Sequence, residues 1–82
     1  MSFLLITFNS THLAIKTEKA LMDLNVEMIP TPRQLSASCG LSLKASVGIL
    51  EEVKNRLGSS YNVNSQCYVV EKVNDITNFK KV

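Results

Sequence analysis

The chain has 82 residues, of which 45% are hydrophobic and 20% are charged, and its formal net charge is +2 at pH 7. This length leaves room for one hydrophobic core and therefore for one domain. The weak charge and the scatter of the nine Lys and Arg residues argue against nucleic acid as a partner. The apolar residues form no run of about 20, so a membrane span is not expected.

The N-terminal residues and the cysteines indicate the compartment. The start Met1–Ile6 is apolar but lacks the basic region and cleavage site of a secretory signal, which favours a cytoplasmic protein. In a reducing compartment Cys39 and Cys67 are expected to be thiols rather than a disulfide. One histidine and no C-x-x-C pair leave too few ligands for structural zinc. We therefore expect neither a metal nor another cofactor.

The first part of the chain predicts a strand, a helix and a second strand. Phe3–Phe8 is short, rich in β-formers and apolar on both faces, as a central strand would be. Asn9-Ser10-Thr11 supplies a helix cap, and apolar residues then recur at helical spacing to about Asn25. Val26–Ile29 follows as a strand that Pro30 ends, because proline cannot donate to a ladder.

The second part predicts one turn, two strands and a second helix. Pro32–Leu35 forms a helical turn, and Cys39–Leu43 forms the third strand. Ser46 caps a helix whose apolar stripe recurs at helical spacing: Val47, Leu50, Val53 and Leu57. Gln66–Val73 forms the fourth strand, and residues 74–82 are interpreted as a polar, basic tail.

The element order βαββαβ indicates an α+β protein with a ferredoxin-like fold. We expect a four-stranded antiparallel sheet in the order 4-1-3-2 with two helices on one face, formed by a single domain of residues 1–73. The first strand offers apolar residues to both faces of this sheet. We therefore expect a homodimer through the face that the helices leave uncovered.

Cys39 is the candidate for chemistry, because this topology places it opposite the N-terminus of the first helix. Backbone N–H groups and the helix dipole favour a thiolate there. Arg33 would add positive charge, His12 would exchange a proton, and Gly40 would let another backbone approach closely. On spacing alone, a cysteine in phase with leucines is more often a core residue, and His12 and Arg33 are more often plain surface residues. Cys67 is expected to be packing.

Two stretches resemble a known family. Residues 29–41, IPTPRQLSASCGL, are similar to the pattern I-P-T-P-R-x-[IL]-S-x-S-C-G-[LI] of the "putative selenium/sulfur carrier-like" family of small bacterial domains. Residues 8–18 are similar to that family's opening, F-x-S-T-H-x-A-x-K-x-E. The resemblance covers most of residues 3–73 and implies a persulfide or selenosulfide on Cys39. Related domains occur fused to a sulfur-transfer domain of the TusA type. These 82 residues contain no such second domain, so donor and acceptor proteins are expected to act in trans.

Other functions of this fold lack their residues here. The chain has no Arg between the first strand and helix for acylphosphatase chemistry, and no aromatic pair on the first and third predicted strands for stacking RNA bases. No self-contained enzyme site is evident, and whether the chain is an enzyme stays open. The leading hypothesis is a sulfur or selenium carrier. The alternative is a non-catalytic module that binds a small ligand or a protein.

Overall fold

The structure is a computed structural model that describes residues 2–35, 40–58 and 63–82. The chain is α+β with two helices, each followed or preceded by a short 3-10 turn. The strands and helices, in chain order, are β1 Ser2–Phe8, α1 Thr11–Ala20, β2 Glu27–Pro30, β3 Leu41–Ala45, α2 Leu50–Leu57, β4 Ser65–Val73 and β5 Ile76–Lys81. None of the helices in these ranges is long and apolar enough to cross a membrane.

The five strands form one antiparallel sheet in the order β2-β3-β1-β4-β5. The predicted four-stranded ferredoxin-like sheet is therefore wrong in its strand count and in its complete strand order. The difference arises because residues 74–82, interpreted above as a tail, supply a strand. β5 pairs with β4 from Val73↔Ile76 to Tyr68↔Lys81 and occupies the edge of the sheet.

A two-residue turn makes this fifth strand possible. Asn74 and Asp75 both have positive φ angles, 49° and 67°. Positive φ at both central residues is the signature of a type I′ hairpin turn, whose twist matches that of the strands it joins. Asn and Asp tolerate this left-handed conformation better than other side chains do. The turn therefore folds the chain back along β4 although the returning strand is polar.

Both helices cover the same face of the sheet. On that side β1 contributes Leu4, Ile6 and Phe8, and α1, α2 and β3 contribute Ala14, Val53 and Leu43, all buried in one cluster. At about 25 cal/mol per Å² of apolar surface, burial of such side chains is the main stabilising contribution. Leu50, Val53 and Leu57 of the predicted stripe lie in or against this core, whereas Val47 lies in the 3-10 turn before α2, which Ser46 caps. Gly58, with a φ of 54°, ends the helix.

We call the other side of the sheet the open face. The strand pairings place these residues on it: Phe3, Leu5, Thr7, Glu27, Ile29, Ser42, Lys44, Gln66, Tyr68, Val70, Lys72, Thr77, Phe79 and Lys81. Leu5 and Val70 are nonetheless only 0% and 1% exposed. The dimer is predicted because, in a monomer, apolar residues of the first strand would be exposed to solvent on this side. Leu5 is already buried within the single chain, so the homodimer stays a prediction with a weaker basis.

Candidate functional site

The candidate site lies at the end of the sheet where β1 leads into α1. Ser10 is the N-cap of α1, and its hydroxyl accepts a hydrogen bond from the Leu13 amide at 3.2 Å. The Asn9 amide donates to the Asn64 carbonyl at 3.1 Å, just before β4 begins. These bonds satisfy backbone groups that a helix start otherwise leaves unpaired. The turn into α1 is thereby hydrogen-bonded to the chain just before β4.

The connection between β2 and β3 reaches the same end of the sheet. The last ladder pair is Pro30↔Leu41, and beyond it the Thr31 amide donates to the Gly40 carbonyl at 2.9 Å. The Thr31 and Ser42 hydroxyl oxygens lie 2.6 Å apart, so they share a hydrogen bond. The connection is therefore held where it leaves β2, at Thr31, and where it enters β3, at Gly40 and Ser42. We call this Thr31–Gly40 pair the loop clamp.

Gly40 is the nearest described neighbour of the candidate cysteine, because Cys39 itself lies outside the described residues. The β1–β3 register ends at Thr7↔Ser42, two residues after Gly40 and two residues before Asn9, so both residues lie at this end of the sheet. Among the described residues, no atom lies within 4 Å of the point where a Cβ of Gly40 would sit. The described backbone that approaches Gly40 is that of Thr31, through the 2.9 Å hydrogen bond to the Gly40 carbonyl. Gly40 itself is exposed among the described residues.

The structure separates the other two predicted site residues. His12 is exposed in the first turn of α1, on the side of the sheet that the helices cover. Arg33 is exposed in the turn that the Leu35 amide closes by donating to the Pro32 carbonyl at 3.1 Å. Both neighbours of Arg33 in this turn, Pro32 and Gln34, line a hollow on the open face. The turn that contains Arg33 therefore borders the open face, whereas His12 lies in a helix on the covered face.

Cys67 occupies a different environment from the predicted site. It lies on β4 opposite Ile6, its side chain is 0% exposed, and it belongs to the core cluster beneath the helices. Its carbonyl accepts a hydrogen bond from the Val82 amide at 3.0 Å. Its thiol is out of reach of a partner protein while the chain is folded.

A family comparison adds to this geometry. The family model described as "Putative Se/S carrier protein-like" matches residues 3–68. The chain belongs to this family. No curated protein and no solved structure matches the chain. The region shared with the carrier-like family contains His12, Arg33, Cys39 and Gly40, and it ends before β5 begins.

The hollow on the open face was not anticipated from the sequence. It has a volume of about 310 Å³, and its lining includes Phe3, Lys44, Val70 and Phe79. The available signal was the alternation of Thr77, Phe79 and Lys81, which share a face if that segment is a strand. Because the segment was interpreted as a tail, its alternation was not used. Part of this hollow therefore lies outside the region matched by the carrier-like family.

A second cavity, of about 270 Å³, lies between α1, α2 and the start of β4. Arg56 reaches its wall, but the guanidinium donates to the Asp23 carboxylate at 2.8 Å and to Glu52 at 3.0 Å. The hydrogen bond from Arg56 holds the pKa of Asp23 below its usual value, and the two carboxylates raise the pKa of Arg56. The positive charge of Arg56 is offset by these two carboxylates. The cavity therefore offers less attraction to an anion than its arginine suggests.

Within the described ranges, no group of three or more His, Cys, Asp and Glu side chains is placed to hold a metal ion. The chemistry that the carrier-like region offers in these ranges consists of an exposed glycine next to the candidate thiol, a capped helix start and a clamped loop.

Proposed function

We propose that this chain is a sulfur or selenium carrier that holds a persulfide or selenosulfide on Cys39 and passes it to a partner protein. The observation that supports this assignment most is the burial of Cys67. A carrier of this kind needs an accessible thiol, and the chain has two cysteines. Since Cys67 is fully buried in the core, Cys39 is the residue left for the role that the family description names.

Transfer requires no oxidant or reductant within the chain. The Cys39 thiolate attacks the outer sulfur of a persulfide on a donor protein. A new S–S bond forms at Cys39, the donor S–S bond breaks, and the donor leaves as its thiolate. Discharge repeats the step in reverse, with a nucleophile of the acceptor attacking the outer sulfur and Cys39 leaving as the thiolate. Selenium would follow the same course through an S–Se bond.

In this scheme the chain only carries the sulfur or selenium, and separate donor and acceptor proteins act in trans. The proposed setting is the cytoplasm, where reducing conditions keep thiols available for exchange. The described site supports the scheme in two ways: no described neighbour lies within 4 Å of a Cβ built on Gly40, and α1 begins at the same end of the sheet as Gly40. Helix N-termini favour anions, and a thiolate or a persulfide anion is the form that reacts.

Sulfur loading tests the proposal directly. The protein is incubated with a cysteine desulfurase and cysteine, and its intact mass is recorded before and after addition of a reductant. We expect a reversible gain of one sulfur in the unaltered protein and in Cys67→Ala, and none in Cys39→Ser. Loading that persists in Cys39→Ser would exclude Cys39 as the carrier. Absence of loading with several desulfurases would favour the alternative, a binding module.

Substitution of Gly40 separates partner approach from folding. Gly40→Ala adds a Cβ into open space, so we expect the free energy of unfolding to change by less than about 0.5 kcal/mol. The same methyl group would obstruct a donor at the site, so the initial loading rate should fall several-fold. Gly48→Ala is the matched control, since its Cβ would make only an ordinary 3.6 Å contact with Ser46. Equal loading rates in both variants would show that donors do not approach Gly40.

The binding-module alternative has its own supporting observation, which is the hollow on the open face. A carrier needs no cavity of this kind, whereas a ligand-binding or regulatory module does. The two functions use different parts of the chain and do not exclude one another. Sulfur loading of Cys39 and ligand binding to the hollow can therefore be measured independently.

A further inference from the structure

We propose that two copies of the chain pair through the outer edge of β5, so that their sheets join into one continuous antiparallel sheet. The inference concerns a surface outside the Cys39 region and does not depend on the carrier function. It rests on the difference between the two edges of the sheet and on the order of the side chains along β5.

The edge formed by β2 is protected against pairing. This strand has four residues, and the Thr31 amide just beyond it donates to the Gly40 carbonyl. Because backbone groups alternate in direction along a strand, Met28 and Pro30 direct theirs away from β3. Pro30 has no N–H to donate, so within β2 only Met28 offers an outward amide. Short edge strands that contain proline are a common defence against the addition of another strand.

The edge formed by β5 has no such protection. The Val82 amide donates to the Cys67 carbonyl, which fixes the direction of the backbone groups before it. By the same alternation, Thr77, Phe79 and Lys81 direct their N–H and C=O groups away from β4. β5 has six residues without proline, and within the described ranges no strand pairs with its outer side. Such an edge is a template for a further strand.

The sequence of β5 is complementary to itself in one antiparallel register, whose two-fold axis passes through Phe79. This register uses the whole strand and brings aromatic and apolar residues opposite residues of the same kind. Ile76, which is 62% exposed in the single chain, gains an apolar neighbour in this way. The register pairs these residues of one copy with those of the other: Ile76 with Val82, Thr77 with Lys81, Asn78 with Lys80, and Phe79 with Phe79.

Charge and polarity favour this register over its neighbours. With the axis at Phe79, Lys80 and Lys81 each face an uncharged side chain of the second copy. With the axis at Lys80, that lysine would lie directly opposite itself, and like charges placed so destabilise a sheet. With the axis at Asn78, the exposed Ile76 would face Lys80 instead of an apolar residue.

The pairing is closed and leaves the proposed carrier site free. A two-fold contact uses the β5 edge of both copies, so only the protected β2 edges remain and assembly stops at the dimer. Since the strands pair antiparallel, the two Gly40 residues lie towards opposite ends of the joined sheet. A contact made by one strand from each copy is smaller than the roughly 1,200 Å² of a stable interface, so monomer and dimer exchange.

Sedimentation equilibrium at increasing protein concentration tests the pairing, with a reductant present to keep the thiols unlinked. We expect a reversible monomer–dimer equilibrium without larger species. Thr77→Lys brings lysines opposite each other at two equivalent positions and should weaken the dimer about threefold to tenfold. Adding Lys81→Thr to this variant places each lysine opposite a threonine again and should restore the affinity. The double variant is the matched control, because it keeps the original net charge and any effect of Thr77→Lys on the paired Lys72 of the same chain.

Cross-linking tests the register. Chains with Asn78→Cys and chains with Lys80→Cys, both also carrying Cys39→Ser, are mixed and oxidised. The proposed register places the Cα atoms of this pair about 4.5 Å apart, within the range of a disulfide. We therefore expect mixed dimers to exceed the half of the product that random encounters would give.

Three results would overturn the proposal. The first is a chain that stays monomeric, which would leave the β5 edge to an extended segment of another protein. The second is Thr77→Lys dimerising as tightly as the double variant. The third is a product without an excess of mixed links, which a dimer through the open face would give because Asn78 and Lys80 lie on the other side of β5.

Discussion

In the native protein, iodoacetamide should modify Cys39 at least about a thousand times faster than Cys67. Cys67 is 0% exposed on β4, which is hydrogen-bonded to β1 on one side and β5 on the other. Reagent reaches such a thiol only when the sheet opens. A domain stable by about 5 kcal/mol opens fully in fewer than one molecule in a thousand.

The comparison is made by peptide mass after short exposures, with Cys67→Ala and Cys39→Ser as single-thiol variants. Denaturant provides the control, because both thiols should react at similar rates once the chain is unfolded. The pH profile of the native reaction also tests the sequence prediction that the N-terminus of α1 lowers the pKa of Cys39 from the ordinary value near 8.5. If Cys39 reacts only as fast as Cys67 before denaturation, it is a core residue and the carrier function fails.

Removal of residues 74–82 should lower the free energy of unfolding by about 3 kcal/mol or more. The shortened chain loses every β4–β5 ladder bond, the Phe79 ring packed on Tyr68, and the hydrogen bond from Val82 to the Cys67 carbonyl. Full burial of one large aromatic side chain stabilises a protein by about 2 kcal/mol, and the partly buried Phe79 contributes a fraction of that. For a domain of this size, the total is a large fraction of the stability.

Urea unfolding followed by circular dichroism measures this loss. The control is the full-length chain with Asn78→Thr and Lys80→Thr, because both side chains are exposed and strand propensity is retained. It should differ from the unaltered protein by less than about 0.5 kcal/mol. A shortened chain with an unchanged midpoint would mean that β5 contributes nothing to the fold, as the tail interpretation implied.

Elements with a strong local pattern were predictable from the sequence. The two-sided apolar run in β1 indicated a central strand, and β1 does pair with strands on both sides. The apolar spacing of Leu50, Val53 and Leu57 indicated the second helix and its buried side. β5 has no such pattern, since Thr77 and Phe79 are only partly buried and its other residues are exposed. Its place in the sheet depends on the turn at Asn74 and Asp75 and on pairing with β4, which the short alternation of Thr77, Phe79 and Lys81 does not indicate by itself.

Boundaries and the site were predictable only in part. β3 runs to Ala45 rather than Leu43, and its predicted start at Cys39 lies outside the described residues; α1 ends at Ala20, before a 3-10 turn that Asn25 closes with a φ of 57°. The motif from Ile29 to Leu41 singled out the family correctly. It could not show which side of the sheet the Arg33 turn occupies. That direction is set by contacts distant in sequence, such as the hydrogen bond between Thr31 and Ser42.

The loop clamp limits how the proposed carrier can deliver its cargo. Cys39 is bonded directly to Gly40, whose carbonyl is fixed to Thr31, so the Cys39 sulfur stays within about 7 Å of the Gly40 Cα. A long swinging arm could visit two proteins docked at separate places, but this tether is too short for that. Donor and acceptor must therefore bind in turn to the same surface around Cys39. Each should act as a competitive inhibitor of the other, and no complex of all three proteins should form.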